Sequence, residues 1–479
     1  MAPCPATAIM PLRPLSFLIC LLLLTGCAAR SQPAAPSSTI VAAAATPAPE
    51  PVYGPFPVAT LESLLLAEFA GHRQRADVAL GGYIQQALST RDPGVVARAS
   101  TIAQFLNQPQ SLELSQLWTD VEPGNAEAWY VLALSSLRQQ RYEMLIPALD
   151  RLLALQPEAD LEQMFLSAIP TTPTGQQSLL NALEAVEQKH HDSPHILFAR
   201  ALVLTQAGAR EPALDFAHRA RLLRPESIQT TLLEAKILTD LNRNAEVAHL
   251  LASAVKIRPE SQSLRLNYAR SLVKAQDMKG AEREFGTLVA KYPSDSSLRL
   301  GLALIAFENH NDVLARSELD TLSDSEEHSD EAYFYLGKLA QRQERLDDAI
   351  AAYESVPPGP HFMQAMAEIS NLLIQRGQTA ESHRRFNEAR ARLPEQRLPL
   401  FQLEAELLSA RKDPDGARAI LDEALQQSPG NAHLLLSRAL VAERQNQMDQ
   451  FEADVREVLR TEPNNASALN ALGYTLLER

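Results

Sequence analysis

Ser271-Leu-Val-Lys274, in a chain of 479 residues, sets reactive side chains at a catalytic spacing. A hydroxyl three residues before an amine is the arrangement of acyl-serine enzymes, whose lysine helps to activate the serine. His190 and His191 offer two imidazoles for a metal. Asp324 to Glu327 and the pair Asp347-Asp348 group carboxylates closely enough for acid–base work. Each fails on its surroundings. Ser271 and Lys274 lack the Ser-Asp-Asn and Lys-Thr-Gly companions, and they follow Ala269 on a helical pattern. Adjacent histidines point to different faces of a helix and do not share an ion. The acidic runs read as solvated turns and first helical turns, where the helix dipole favours them. His-Glu-x-x-His, Gly-x-Ser-x-Gly and the phosphate-binding loop do not occur in the sequence. We therefore expect no enzyme: no catalytic residue, no cofactor, no metal and no small-molecule substrate.

The elements that carry these side chains are helical and repeated. Asp330 to Pro357 shows the unit best. Tyr333, Leu336, Gly337 and Ala340 form one helical stripe, and Leu346, Ala349, Ile350, Tyr353 and Val356 form another. Pro357 breaks the second helix, because proline has no N–H to donate and clashes with the preceding turn. Neither stripe can be buried by its own pair, so such a pair must pack on copies of itself. Steps of thirty-four residues from Gly337 land on Ala133, Ser167, Ala201, Ala235, Ala269 and Ala303 going back, and on Asn371, Ala405, Ala439 and Gly473 going forward. A small side chain at a fixed period of this length marks a helical repeat array. Prolines at 123, 157, 194, 225, 259, 293, 357, 394, 429 and 463 close the units in a second register. The pattern is weakest from Gln156 to Pro194, where Pro170-Thr-Thr-Pro173 interrupts it.

This pattern resembles the tetratricopeptide repeat (TPR) family. The family places a large residue, Leu and a small residue in the first helix. It places small, aromatic and small residues in the second, and proline at the close. Tyr333, Leu336, Gly337, Ala349, Tyr353 and Pro357 follow that order, as do Ala269, Ala281, Phe285 and Pro293, and Ala201, Ala213, Ala217, Ala220 and Pro225. The resemblance implies an all-α fold, a TPR-like α-solenoid in which antiparallel helix pairs wind into a right-handed superhelix. The expected packing residues between repeats are Ala133, Ala201, Ala235, Ala269, Ala303, Gly337, Ala405, Ala439 and Gly473.

The N-terminus reads differently. Arg13 precedes an apolar run from Leu15 to Leu24. About ten residues are too few to span a bilayer, which needs roughly twenty, but they suit a secretory signal. Met1 and Met10 are both possible starts. The run ends in Leu24-Thr25-Gly26-Cys27, which resembles the lipobox of bacterial lipoproteins. That resemblance implies cleavage before Cys27 and diacylglycerol on its thiol. Ala28, in place of Asp, implies sorting to the outer membrane. The chain has only Cys4, Cys20 and Cys27, so cleavage leaves one cysteine and no internal disulfide. The expected organisation is a signal peptide (1–26), a lipidated Ala/Pro-rich tether (27–59) and two degenerate repeats (60–123). The TPR array (124–463) and the first helix of a further, incomplete repeat (464–479) complete it. In the degenerate part, Thr60 is expected to cap a helix, and Gly81 and Gly82 to mark a close packing contact. The final helix, with its stripe unpartnered, is expected to stop inside a longer array.

Charge narrows the partners. With 44 Lys and Arg against 58 Asp and Glu, the net charge is −14. Nucleic acid is disfavoured, since phosphate neutralisation supplies most such affinity, and a basic protein surface is favoured. The candidate partner-binding positions on first helices are Arg265, Arg299 and Gln402. The plan from lipobox to NNASALNALGYTLLER resembles the outer-membrane TPR lipoproteins of pseudomonads, one of which partners a periplasmic carboxyl-terminal processing protease. That resemblance implies an adaptor for protease and cell-wall hydrolase substrates, attached to the membrane through its N-terminal lipid only. A scaffold for outer-membrane protein insertion, or for pilus or secretion machinery, is the alternative.

Overall fold

The computed structural model describes residues 56–478, and every element in it is helical. The signal, Cys27 and nearly all of the tether lie outside the described residues. The chain divides into two compact units between Ala275 and Gln276. The first unit opens with two helix pairs, Val58–His72 with Ala76–Thr90 and Pro93–Phe105 with Ser111–Val121. Regular pairs come next, ending at Gln262–Lys274. The second unit begins at Met278–Lys291 and continues through pairs such as Ser329–Arg342 with Leu346–Glu354 to the last helix, Ala466–Glu478.

The prolines act together with a polar side chain two positions later in the chain. Two residues after Pro123, Pro225, Pro259, Pro293 and Pro429 stand Asn125, Ser227, Ser261, Asp295 and Asn431. Each accepts a hydrogen bond from a backbone N–H in the first turn of the next helix. Proline ends one helix and the side chain two residues on starts the next, a cap that contributes about 1 kcal/mol. The turn inside each pair is set differently. Gln140, Gly208, Asn242, Gln276, His310, Glu344, Gly377, Lys412 and Asn446 all have positive φ. At Glu344 the backbone N–H reaches Gln341, and the N–H of Arg345 reaches Ala340. These are Schellman closures, which satisfy the last carbonyls of the first helix.

Each such residue lies seven after the buried small residue of its first helix. That spacing corrects the register at one unit, because Gly377 points back to Ser370, which is buried, rather than to Asn371. It also identifies Ala67, buried seven residues before Gln74, in the first degenerate pair. Thr60 does not cap that pair. The helix starts at Val58 after Pro57 with no side-chain cap, and Thr60 is buried inside it. Gly82 does mark a close contact, since a Cβ there would lie 3.0 Å from that of Ala67, while Gly81 faces open space. In the interrupted unit, Pro170-Thr-Thr-Pro173 shortens the first helix to Glu162–Ser167, and Thr172 caps the next helix at Pro173.

Candidate interaction surface

The register residues lie between helices. Ala133, Ala201, Ala269 and Ala303 are fully buried, and Ala235, Gly337, Ala405 and Ala439 are buried as well. At Gly337 the reason for a small residue is direct. A Cβ there would fall 2.4 Å from the ring of Tyr353, whose hydroxyl donates to Gln341. Gly473 differs from the expectation. It is exposed, and nothing lies within 4 Å of where its Cβ would be, because no described helix comes after it to pack on it.

The residue just before the small one carries the chemistry that sequence reasoning missed. It is Leu at 132, 302 and 336. At Arg200, Glu234, Glu404 and Arg438 it is charged and largely removed from water. Arg200 pairs with Glu187, and Glu234 with Arg221 and His218. Glu404 accepts from Arg390 at 2.8 Å, and Arg438 reaches Asp422 and Asp454 at 2.6 Å. Glu187, Arg221, His218, Arg390 and Asp422 stand on the second helix of the preceding unit, whereas Asp454 stands on the second helix of Arg438's own unit. Burial pushes the Glu404 carboxyl above its ordinary range, against the pull of Arg390 and His383. Charged residues at this register position, where other units carry leucine, were the available signal.

All three candidate partner-binding side chains are already engaged. Arg299 pairs with Glu318 and also donates to the Pro293 carbonyl, so it braces its own unit. Gln402 donates to Ser437 of the next first helix at 3.3 Å and therefore spans two repeats instead of facing away from them. Arg265 is half-buried and donates to the Pro259 carbonyl at 3.3 Å. Ser271 is buried with its hydroxyl on the Tyr268 carbonyl, while Lys274 is exposed. His190 meets Asp150 at 2.8 Å, and His191 is exposed and apart from it.

Asp160, Glu162 and His195 come together in the interrupted unit. The group does not suit a metal ion. The Arg224 guanidinium is 3.2 Å from both ring nitrogens of His195 and 3.7 Å from Glu162, so the local cation is already supplied. Ser227 and Thr230 donate to the same carboxylate. Burial and Arg224 together hold the His195 imidazole down to about 4.

The open surfaces are grooves. A groove of about 680 Å³ lies between Arg210–Leu223, Ile228–Asp240 and Asn244–Ile257, floored by Leu214, Leu238 and Leu250 and rimmed by charges. A second, of about 330 Å³, lies on Phe362, Met366 and Ile369 in the second unit. Among the described residues no helix is long and apolar enough to cross a membrane.

Models of the tetratricopeptide repeat match residues 238–306, 314–361 and 408–477. The TPR repeat-containing protein PA4667 of Pseudomonas aeruginosa is 36% identical over 428 residues, 89% of this chain and 72% of that protein. The chain belongs to the tetratricopeptide repeat family. Among solved structures, yeast Tom70 is similar over 88% of this chain and 96% of its own, at 13% identity and a TM-score of 0.31. YrrB, a TPR protein with an unusual peptide-binding site, covers 43% of this chain and 99% of its own, at 13% identity and a TM-score of 0.33. TPR repeats make a protein-binding scaffold, and modules of this kind are typically non-enzymatic.

Proposed function

We propose that this TPR protein is a non-enzymatic adaptor, anchored by a lipid on Cys27 to the periplasmic face of the outer membrane. There it docks a carboxyl-terminal processing protease together with that enzyme's cell-wall hydrolase substrates. The reading is carried by one observation: the chain is 36% identical to a pseudomonad TPR protein along 89% of its length. Charge supports it. Residues 276–479 hold 34 Asp and Glu against 22 Lys and Arg, whereas residues 56–275 hold 23 against 20. The second unit thus offers an acidic field to a basic partner surface.

Crosslinking in intact cells, with mass spectrometry of the products, tests the proposal. Recovery of a serine protease and a wall hydrolase on this chain is expected. Recovery of outer-membrane barrel or pilus components in their place overturns it, and so does hydrolase degradation by the purified chain alone.

A further inference from the structure

The first described helix, Val58–His72, is apolar on two sides. Its inner side is accounted for. Ala67 is buried against Gly82, and Glu68 accepts from Tyr83 and Arg98. Its outer side is not. Val58, Leu61, Leu65, Leu66 and Phe69 are between 50% and 83% exposed. They fall on one stripe, at steps of three, four, one and three. Glu62 falls within it, one turn from both Val58 and Leu66, and His72 and Arg73 close its end. Single exposed leucines are ordinary, but five large apolar side chains on one helix face form a patch of the kind that marks an interaction surface.

We infer that this face seats on the lipid bilayer from which the chain hangs. The inference rests on the proposed lipid at Cys27. Thirty residues separate Cys27 from Val58. Covalent geometry limits that distance to about 100 Å at full stretch. A lipid on Cys27 therefore holds this helix within reach of one apolar surface at all times. At the effective concentration that tethering creates, even a weak contact is populated. On that surface the leucines and the phenylalanine of the stripe enter the acyl boundary. His72 and Arg73 stand where headgroup phosphates lie. Lipid anchor and helix then act as two signals for one surface, and together they seat the N-terminal pair instead of leaving it to swing.

Processing and acylation make the test clean, because the mature chain has no other cysteine than Cys27. Phe69→Cys then supplies a unique thiol for the environment-sensitive fluorophore NBD. The lipidated protein is reconstituted into phosphatidylethanolamine–phosphatidylglycerol vesicles. The same label at Val313→Cys, 84% exposed in the second unit, serves as the reference. The expected result is a blue-shifted emission at position 69, quenched by spin-labelled lipid and shielded from iodide, with position 313 quenched by iodide alone. Adding Leu61→Glu and Leu65→Glu, both at exposed sites, returns position 69 to water while circular dichroism stays unchanged. Equal iodide quenching at both positions overturns the inference. So does shielding at 69 that persists in detergent together with a dimer mass, which assigns the face to a second copy. Mass spectrometry of the N-terminal peptide separates the two claims. An unmodified Cys27 removes both, whereas an acylated Cys27 with position 69 in water removes only this one.

Discussion

Leu336 and Glu404 stand two repeat lengths apart at the same position, yet their junctions are sealed in different ways. At the first, Gly337 opens a slot that the Tyr353 ring fills, and Leu336 packs beside it. At the second, a carboxylate that is 3% exposed meets a guanidinium that is also 3% exposed and lies 3.9 Å over the Phe401 ring. One junction is closed by shape and the other by charge. An array sealed only by leucine and alanine accepts any neighbour of similar shape. A buried charge accepts only a neighbour that carries its partner, because an unpaired buried ion costs several kcal/mol. The charged seats at Arg200, Glu234, Glu404 and Arg438 therefore favour packing of those first helices on the neighbours that carry the matching charge. Neutralising one end should break this contrast most sharply. Arg390→Met leaves Glu404 buried with only His383 beside it, at an expected cost of about 3–5 kcal/mol. Glu404→Leu added to Arg390→Met turns the junction into one like that at Leu336, and most of the loss should return. Urea unfolding of the single and double variants measures both. A cost under about 1 kcal/mol for Arg390→Met alone erases the distinction between the two kinds of junction.

The second test sets the interrupted unit of the first half against the regular ones. His195 is 1% exposed and faces Arg224, Glu162, Asp160 and, through space, Glu158. Its folded value, about 4, lies below the unfolded value near 6.5. The unfolded chain therefore binds the proton first on acidification. The stability that neutral His195 contributes is complete above about pH 6.5 and is lost as pH falls towards 4. The ceiling on that loss is about 3 kcal/mol. His195→Gln should flatten the slope of stability against pH in this window. An unchanged slope would show that burial and Arg224 do not hold the imidazole neutral.

The sequence reveals the part of this fold that depends on size. A slot that admits only Gly, Ala or Ser leaves the same mark at most steps of thirty-four residues, so the fold class can be read directly, and eight of the nine small residues named at that register are buried. The turns are harder to read. Of nine Schellman closures only Gly208 and Gly377 use the residue that advertises a left-handed backbone, while Gln, Asn, His, Glu and Lys fill the others. Arg299 and Gln402 show the limit for binding sites. Polarity on a first helix says that a side chain avoids the apolar core. It does not say whether the group faces water, a carboxylate on its own partner helix or the next repeat. The apolar stripe from Val58 to Phe69 was hidden for the opposite reason, since composition marks a residue as buried and only coordinates show that these side chains stay exposed among the described residues.

The smallest test is the cleanest, because one exchange is made at two glycines. Gly337 and Gly286 are both helical, so alanine at either should gain roughly 0.5–1 kcal/mol from reduced backbone freedom in the unfolded chain. They differ in what the added methyl meets. At Gly286 nothing lies within 4 Å, and Gly286→Ala should show that gain as a higher thermal midpoint. At Gly337 the methyl meets three atoms of the Tyr353 ring between 2.4 and 2.8 Å. That ring is 1% exposed and tied to Gln341, so it has no free direction in which to turn. Overpacking of this kind costs about 1–3 kcal/mol, which exceeds the gain. The same exchange should thus stabilise at one position and destabilise at the other. If both variants rise in midpoint, Tyr353 is not a fixed wall, and the claim that this junction is sealed by shape fails with it.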